Sequence, residues 1–229
     1  MKYNFGDTVI LALGGSIINP GKINVPFLIE FKKFIEEHVK SGIKFVIVAG
    51  GGSVARNYQE ALAHILDAPD EDKDYLGIHA TRVNAHFLRS IFRGIADPTA
   101  HKRFNLKKIQ YAVTVASGTK PGWSTDYVAL HLAYNIGVKV AVIAGDLGHV
   151  YTKDIKIFKD AEPLEKLSWK EYRKLIPAKW VPGLHAPVDP EAAKFADKKN
   201  LAAIVINGTD LKNFANLLAG NDFEGTIIE

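Results

Sequence analysis

The sequence contains no cysteine and only one methionine. The absence of cysteine excludes disulfide bonds, cysteine nucleophiles and thiolate metal sites. A strong excess of one charge is also missing, because 29 basic and 25 acidic residues leave a net charge of only +4, with both signs mixed along the chain. So small a charge argues against a nucleic-acid partner.

Long apolar runs are missing as well. The first apolar run, Thr8–Leu13, is too short for the hydrophobic region of a signal peptide. No stretch approaches the roughly 20 apolar residues of a membrane-spanning helix. We therefore expect a cytoplasmic protein with no membrane partner. Its composition, 47% apolar and 24% charged over 229 residues, is that of a globular chain and excludes intrinsic disorder.

Short β-branched runs alternate along the chain with longer segments of helical periodicity. Strands are predicted at 8–13, 44–49, 110–116, 138–144 and 201–206. Helices are predicted at 27–39 (with Asn24 and Gly42 as caps), 53–66, 75–92, 125–136, 168–176, 190–199 and 211–218. This alternation is typical of βαβ units, and near-continuous apolar strands are buried on both faces.

The predicted fold class follows from this pattern. We expect an α/β protein, a three-layer sandwich with a largely parallel central sheet, in one domain that spans residues 1–229. The acidic stretch 67–74 and the charged, proline-containing stretch 97–108 are predicted to be solvated loops.

Glycine-rich turns follow three of the predicted strands. They are Gly14-Gly15-Ser16, Gly50-Gly51-Gly52-Ser53 and the longer polar turn 117–126. Glycine lets the backbone approach an anion, and the exposed N–H groups at the start of a helix favour negative charge. Open α/β sheets bind ligands at the carboxyl ends of their parallel strands. The three turns together favour phosphate binding, although any one of them could be a simple tight turn.

The common phosphate motifs do not fit these turns. The sequence has neither GxxxxGK[ST] nor GxGxxG, which disfavours a P-loop nucleotide hydrolase and an ordinary dinucleotide-binding protein. Arg56 follows the triple glycine, and Arg82 lies on the next predicted helix. Either could be a surface ion-pair partner, but two guanidinium groups near glycine turns make a dianionic ligand credible.

Six segments share one family pattern. They are the strand and GGS that end at Ser16, GGG-x-x-AR-x-Y at 50–58, D-x-x-GI-x-x-TR-x-NA at 74–85, GT-x-PG-x-STD at 118–126, DP-x-AAK at 189–194 and GTII at 225–228. Together they resemble the amino acid kinase family and, within it, the archaeal-type uridylate (UMP) kinases. The segment at 118–126 is the most specific match.

This resemblance implies transfer of a phosphoryl group from ATP to a nucleoside monophosphate, UMP above all, with Mg²⁺ as cofactor. The residues expected to bind the acceptor are Gly51, Gly52, Arg56, Asp74, Arg82, Thr119 and Thr125, with the glycines and Arg56 at the phosphate and Asp74 at the ribose. The residues expected at the donor are Gly14, Gly15, Ser16, Asp146 and Tyr151. Asp126 and Lys120 are expected to be catalytic, and no residue is assigned as a metal ligand.

The chemistry of such a transfer agrees with the residues available. An acceptor phosphate is already anionic, so no strong general base is needed, and catalysis rests on positioning and on cations that neutralise the transferred group. The histidines are scattered and show no metal-binding spacing such as HExxH.

The donor side departs from the family pattern. Gly148-His149 stands before Val150-Tyr151 where relatives carry Asp-Gly, and the first strand lacks the lysine that many members have. Lys22, Lys120 and Lys153 are the cations that could replace it. Two alternatives therefore stay open: a protein of this fold that binds or stores a nucleotide or oxyanion without transfer, and a kinase for another small acceptor.

The assembly is a further expectation. UMP kinases of this fold are generally hexamers, so the resemblance implies a homo-oligomer. Two apolar stripes, Phe27-Phe31-Phe34 and Tyr75-Phe87-Leu88-Ile91-Phe92, could pack on the protein's own sheet. Their combined size nevertheless predicts that some of this surface is shared between subunits.

Overall fold

The computed structural model describes residues 1–103, 106–179 and 186–229. Its strands are β1 (Thr8–Leu13), β2 (Lys44–Ala49), β3 (Ala96–His101), β4 (Val113–Ala116), β5 (Val140–Gly145), β6 (Val150–Tyr151), β7 (Pro163–Leu164), β8 (Lys166–Leu167), β9 (Ala202–Asn207) and β10 (Thr226–Ile228). Its helices are α1 (Gly15–Ile18), α2 (Val25–Lys40), α3 (Gly52–Ile65), α4 (Asp70–Ile91), α5 (Thr125–Ile136), α6 (Trp169–Leu175), α7 (Pro190–Lys199) and α8 (Leu211–Leu218).

The central sheet has the strand order β3-β4-β2-β1-β5-β9-β10-β8. Neighbouring strands run parallel except at β9 and β10, which are antiparallel. The short strands β6 and β7 form a separate antiparallel pair beside it. A largely parallel sheet is what the alternating sequence pattern predicted, and this prediction is confirmed.

The two faces of the sheet are covered by different helices, because successive side chains of a strand point to opposite faces. Leu11 of β1 packs in a cluster with Phe31 of α2, Leu88 of α4 and residues of α8. Ile10, one position earlier, packs in the other cluster, with residues of α5, α6 and α7. One layer of helices, the central sheet and a second layer of helices form the predicted three layers.

The start of α2 agrees with its predicted cap. The side chain of Asn24 accepts a hydrogen bond from the backbone N–H of Phe27, and Pro26 fits the first turn. The helix ends at Lys40, and Gly42, with φ of +93°, takes the left-handed conformation that follows many helices.

Two of the predicted loops are wrong. Helix α4 begins at Asp70, within the acidic stretch 67–74, because carboxylates in the first turn complement the positive end of the helix dipole. The stretch 97–108 contains most of β3, an edge strand where Pro98 needs no ladder hydrogen bond and the register shifts between Ala96 and Ala100. Positions 104 and 105 of that stretch lie outside the described residues.

The apolar stripes divide into core and surface. Phe31, Phe34, Leu88 and Phe92 are buried in this chain's own core, so the first stripe mainly covers the sheet. Tyr58 and Val83, on α3 and α4, are among the large apolar side chains that stay exposed, together with Tyr75 and Phe87. No helix in the described part of the chain is both long and apolar enough to cross a membrane.

Candidate active site

Two cavities open at the carboxyl ends of the central parallel strands. The first, of about 260 Å³, lies by the turns that follow β1, β2 and β4. The second, of about 450 Å³, lies by the turns that follow β1 and β5. Three of the described residues line both cavities: Gly14, Asp126 and Ala186. The cavities therefore meet at one point.

The glycine turns after β1 and β2 touch each other through their backbones. A Cβ atom on Gly15 would lie 1.9 Å from the backbone nitrogen of Gly52, and one on Gly50 would lie 2.3 Å from the backbone nitrogen of Gly15. No side chain can stand at such distances. These glycines are needed for the close approach of two strand–helix turns, and that approach brings the two cavities together.

Hydrogen bonds from neighbouring elements hold the turn after β2. The side-chain amide of Asn84, on α4, donates to the carbonyl oxygens of Gly50 (2.8 Å) and Gly51 (3.2 Å). The hydroxyl of Ser53 donates to the side-chain oxygen of Asn19 at 2.7 Å. The cap position of α3 is Gly51, which has no side chain to satisfy the first N–H groups of the helix.

The first cavity combines an anion-binding end with polar groups. Arg56, on the first turns of α3, and Asp74, on α4, both line it, together with Gly51, Gly52, Gln59, Gly77, Ile78, Thr81, Gly118, Lys120, Trp123, Ser124, Thr125 and Asp189. Within the described residues, the guanidinium of Arg56 forms no ion pair. An unpaired cation beside the open start of a helix suits an anionic ligand.

The loop between β4 and α5 closes the far side of this cavity and is fixed at two points. The backbone N–H of Gly118 donates to the hydroxyl oxygen of Thr81 at 2.8 Å. The backbone N–H of Gly122 donates to one carboxylate oxygen of Asp74 at 2.7 Å. Between these points, the hydroxyl of Thr119 is buried and has no hydrogen-bond partner in the described part of the protein. Thr119 itself lines neither cavity.

The second cavity is larger and has an apolar wall. Ile155, Leu175, Ile176 and Pro177 line that wall, while Asp146, His149, Tyr151, Lys153 and Lys156 supply polar groups. The hydroxyl of Ser16 donates to the carboxylate of Asp146 at 3.0 Å, which ties the turn after β1 to the turn after β5. An apolar wall with a few polar groups is typical of a cofactor or nucleotide pocket.

A pair of acidic side chains lies at the junction. Burial raises the pKa of Asp126 well above its usual value, and the negative charge of Asp189 raises it further. The pKa of Asp189 is also raised, chiefly by burial, although hydrogen bonds from the Ser124 hydroxyl and from the first N–H groups of α7 oppose the shift. Ionised Asp126 is therefore costly here unless a cation approaches.

The structure brings most of the predicted site residues together. Gly14, Gly51, Gly52, Arg56, Asp74, Lys120, Thr125 and Asp126 line the first cavity, and Asp146 and Tyr151 line the second. Lys120 lines only the first cavity, whereas Lys153 lines the second and Lys22 lines neither.

Arg82 lies apart from the predicted acceptor residues that line the first cavity. It lines a third cavity, of about 950 Å³, with His79 and His86 of α4 and the end of β3. Its Nε atom is buried and has no hydrogen-bond partner among the described residues. The helical period explains the separation, because Arg82 is one residue beyond Thr81, which faces the first cavity.

Sequence reasoning missed several residues of the site. Asp189 enters the sequence analysis only as part of the DP-x-AAK segment; an Asp-Pro pair at the start of a helix, which marks Asp189 as the cap of α7, is the signal for it. Gln59 and His149 also line the cavities without having been assigned. The apolar wall of the second cavity carries no motif, so only the fold reveals it.

The fold and the junction of two polar cavities define the class of protein. The chain belongs to the amino acid kinase family, whose model matches residues 7–207. It is similar over nearly its whole length to uridylate kinases. It is 32% identical to the enzyme of Hyperthermus butylicus, over 96% of this chain and 97% of that one. It is 33% identical to that of Methanocaldococcus jannaschii, over 96% and 99%.

Solved structures give the same result. The uridylate kinase of Archaeoglobus fulgidus superposes with a TM-score of 0.81 at 31% identity, with both chains covered completely. The UMP kinase of Bacillus anthracis superposes with a TM-score of 0.76 at 22% identity, over 97% and 96% of the two chains, which supports the fold alone. The resemblance read from the sequence motifs is confirmed.

Proposed function

We propose that this protein is an ATP-dependent uridylate kinase of pyrimidine nucleotide metabolism, which transfers the terminal phosphoryl group of ATP to UMP and releases UDP and ADP. The observation that carries the proposal is the junction of the two cavities at Gly14 and Asp126. Two nucleotides bound with their phosphates at this point would meet end to end, as a direct transfer requires. We also propose that residues 1–229 form a single domain.

The acceptor would occupy the first cavity. Its phosphate would lie against the turn of Gly51 and Gly52 and the guanidinium of Arg56, where N–H groups and a fixed cation favour a dianion. The second carboxylate oxygen of Asp74 would accept from the ribose hydroxyls, while its first oxygen holds Gly122. Thr125, which lines this cavity, would complete the acceptor site, and Thr119 would act from the same loop.

The donor would occupy the second cavity. The turn of Gly14, Gly15 and Ser16 would face its phosphates, and the apolar wall near Tyr151 would take the base. Although Gly148-His149 replaces the usual Asp-Gly, this chain has a donor-side cavity of about 450 Å³, and the Ser16 hydroxyl donates to Asp146 beside it. Because this cavity meets the first one at Gly14 and Asp126, the arrangement favours transfer over the alternative of a protein that only binds a nucleotide.

The proposed mechanism needs no general base, because the acceptor oxygen is already anionic. The chain's contribution is to align two phosphates, exclude water and supply positive charge from Arg56 and backbone N–H groups. Within the described residues, no group of three or more His, Cys, Asp and Glu side chains could hold a metal ion. Mg²⁺ requires no such group, since one or two carboxylates and nucleotide phosphates suffice.

The residues at the junction fit that ion. Asp126 would hold Mg²⁺ with the donor phosphates, and the raised pKa of its carboxyl group marks a place where a cation is favourable. When bound, the ion would neutralise charge on the transferred group.

The decisive experiment is a coupled assay of ADP release with each nucleoside monophosphate. We expect turnover with UMP that requires both ATP and Mg²⁺. Thermal-shift titrations with ATP alone and UMP alone separate the alternatives, because each ligand stabilises only a protein that has its site. Stabilisation by both without turnover would favour the binding protein, and turnover with another acceptor would identify a different kinase.

The proposed assembly is a cytoplasmic homohexamer with nucleotides as its only partners. Apolar side chains on the outer surface of α3 and α4, namely Tyr58, Tyr75, Val83 and Phe87, are each more than a third exposed and supply a surface that subunits could share. Light scattering at micromolar concentration tests this. A mass six times that of the 25.2 kDa chain is expected, and a monomer mass would contradict the proposal.

A further inference from the structure

A lysine and a tryptophan form a pair at the rim of the first cavity. The ammonium nitrogen of Lys120 lies 4.0 Å from the centre of the Trp123 ring, within the range of a cation–π contact. Both residues line the cavity. They occupy the two positions that the pattern GT-x-PG-x-STD leaves open, so the pair is a feature of this chain beyond the motif.

The backbone that carries Lys120 is fixed on both sides. Gly118, two residues before Lys120, is hydrogen-bonded to Thr81. Gly122, two residues after Lys120, is hydrogen-bonded to Asp74. Gly122 has a φ of +79°, which reverses the chain just before Trp123. The backbone that carries Lys120 is therefore held between the bonds to Thr81 and to Asp74.

The Trp123 ring is held from behind by a row of aromatic side chains. It stacks on Tyr127 with ring centres 4.6 Å apart and an angle of 27°. Tyr127 in turn contacts Phe195 of α7 at 5.3 Å, and His131 stacks on Phe195 at 5.1 Å. These contacts anchor the indole to α5 and α7, so it offers a fixed surface to the flexible lysine side chain.

We propose that Lys120, held by Trp123, reads the base of the acceptor by donating a hydrogen bond to the carbonyl oxygen at C4 of uracil. The inference rests on the proposed function, concerns the same site and replaces the expectation that Lys120 is catalytic. With the phosphate at Arg56 and the ribose at Asp74, the base extends toward the loop that is bonded to Asp74. C4 lies opposite the glycosidic nitrogen in the pyrimidine ring, so its substituent points farthest from the ribose, toward the rim.

The chemistry of the ammonium group sets the direction of the preference. Lysine has three donors and no acceptor. Uracil presents an acceptor oxygen at C4, whereas cytosine presents an amino group that can only donate. Lys120 therefore favours UMP over CMP, because a site built to donate leaves its donor unpaired against the wrong base.

Trp123 is a positioning residue in this proposal. Lysine is long and rotatable, and Lys120 is exposed at the rim, so the ammonium group would otherwise spread over many rotamers. The ring confines it to one side of the loop. The selectivity of Lys120 should therefore depend on an aromatic ring at position 123.

The test compares kcat/KM for UMP and for CMP in the full-length protein. In Lys120→Met, we expect kcat/KM for UMP to fall about tenfold to a hundredfold, the effect of one lost hydrogen bond to a charged group, while the value for CMP changes little. Trp123→Leu should also lower the ratio of kcat/KM for UMP to kcat/KM for CMP. Trp123→Phe should keep most of the ratio, because a phenyl ring also attracts the ammonium group.

A matched control exists on α7. The ammonium of Lys199 lies 4.4 Å from the ring centre of Tyr134, and neither residue lines the cavity, so Lys199→Met should leave the ratio unchanged. If Lys120→Met lowered kcat/KM equally for UMP and CMP, the proposal that Lys120 recognises the base would be overturned. A normal ratio in Trp123→Leu, with a lowered ratio in Lys120→Met, would overturn the role of Trp123.

Binding measurements separate failure of this inference from failure of the proposed function. Absence of turnover with any monophosphate in the wild-type protein would refute the kinase proposal. Calorimetric titration of UMP and CMP into the wild type and the same variants would still test the base preference, through the ratio of the two Kd values. A wild-type ratio near one would overturn the inference, and thermal melts confirm that each variant is folded.

Discussion

A Cβ atom on Gly52 would lie 2.3 Å from the carbonyl oxygen of Gly15, and Gly52 also has a φ of +67°. Gly52→Ala is therefore expected to push the two glycine turns apart as well as strain its own backbone. We expect a loss of stability of more than about 2 kcal/mol, beyond the cost of the left-handed conformation alone. Urea unfolding measures this loss, and turnover should fall because the cavities no longer meet in register.

Gly42 provides the matched control for this variant. It has a φ of +93°, but a Cβ atom there would meet nothing within 4 Å. Gly42→Ala should cost only the backbone strain, about 1–2 kcal/mol, and leave turnover of the folded protein intact. If Gly52→Ala and Gly42→Ala lost the same stability and had the same turnover, the contact between the two glycine turns would contribute to neither.

Arg56→Ala should raise the KM for the monophosphate. The substitution removes the charge-assisted contact proposed for the acceptor phosphate, which is worth about 1.5–3 kcal/mol and corresponds to roughly 10- to 150-fold in affinity. Steady-state kinetics at saturating ATP measure the effect. Arg173, which pairs with Asp197 on the surface at 3.0 Å, gives the control Arg173→Ala, whose KM should match the wild type. An unchanged KM in Arg56→Ala would remove this residue from the acceptor site.

Asp126→Asn is expected to lower kcat far more than either KM, because the proposed mechanism places the carboxylate at the junction during transfer. Asp210→Asn is the control, since Asp210 lines neither cavity and asparagine can still cap α8. Its turnover should equal that of the wild type. Normal turnover in Asp126→Asn would exclude a catalytic role for the carboxylate.

The same variant should change how stability depends on pH. Because the pKa of Asp126 is raised in the folded protein, this carboxyl group stabilises the fold most when protonated, below its unfolded pKa of about 4. That stability is lost as the pH rises through the raised value. Asp126→Asn avoids the loss, so its free energy of unfolding at pH 7 should equal or exceed that of the wild type. Urea unfolding from pH 4.5 to 8 measures the difference, which should shrink toward low pH.

Thr119→Val should separate binding from stability. The buried hydroxyl of Thr119 has no partner in the described structure, so its removal should cost the free protein little or nothing. The KM for the monophosphate should rise if the ligand supplies that partner. Thr81→Val is the contrast, because the Thr81 hydroxyl accepts from Gly118 and donates to Ile78, and its loss should lower the melting temperature.

The sequence predicts the centre of this fold better than its edges. The buried strands and amphipathic helices carry strong periodic signals, and they lie within a few residues of the predicted positions. Strands β6, β7 and β8 are two residues each and have no period to detect. Strand β3 contains Pro98 and is partly exposed, so its pairing depends on β4, which only the folded chain supplies.

The candidate site also has residues that the sequence predicts and residues that it does not. The glycine turns and Arg56 could be predicted because local sequence and strand ends place them together. The coupling of Asp126 to Asp189 could not, because 63 positions separate them and the meeting depends on how α5 packs against α7. The orientation of Arg82 away from the first cavity also depends on the rotation of α4, which is set by its packing on the sheet.

The shared lining of the two cavities at Gly14, Asp126 and Ala186 has a consequence for inhibitor design. Adenosine and uridine joined by a chain of phosphates would place one nucleoside in each cavity, with the chain crossing the junction. The first nucleoside to bind would hold the second at high effective concentration, so such a bivalent compound should bind more tightly than either nucleotide alone. The number of linking phosphates that gives the tightest binding would then measure the distance that the transferred group crosses.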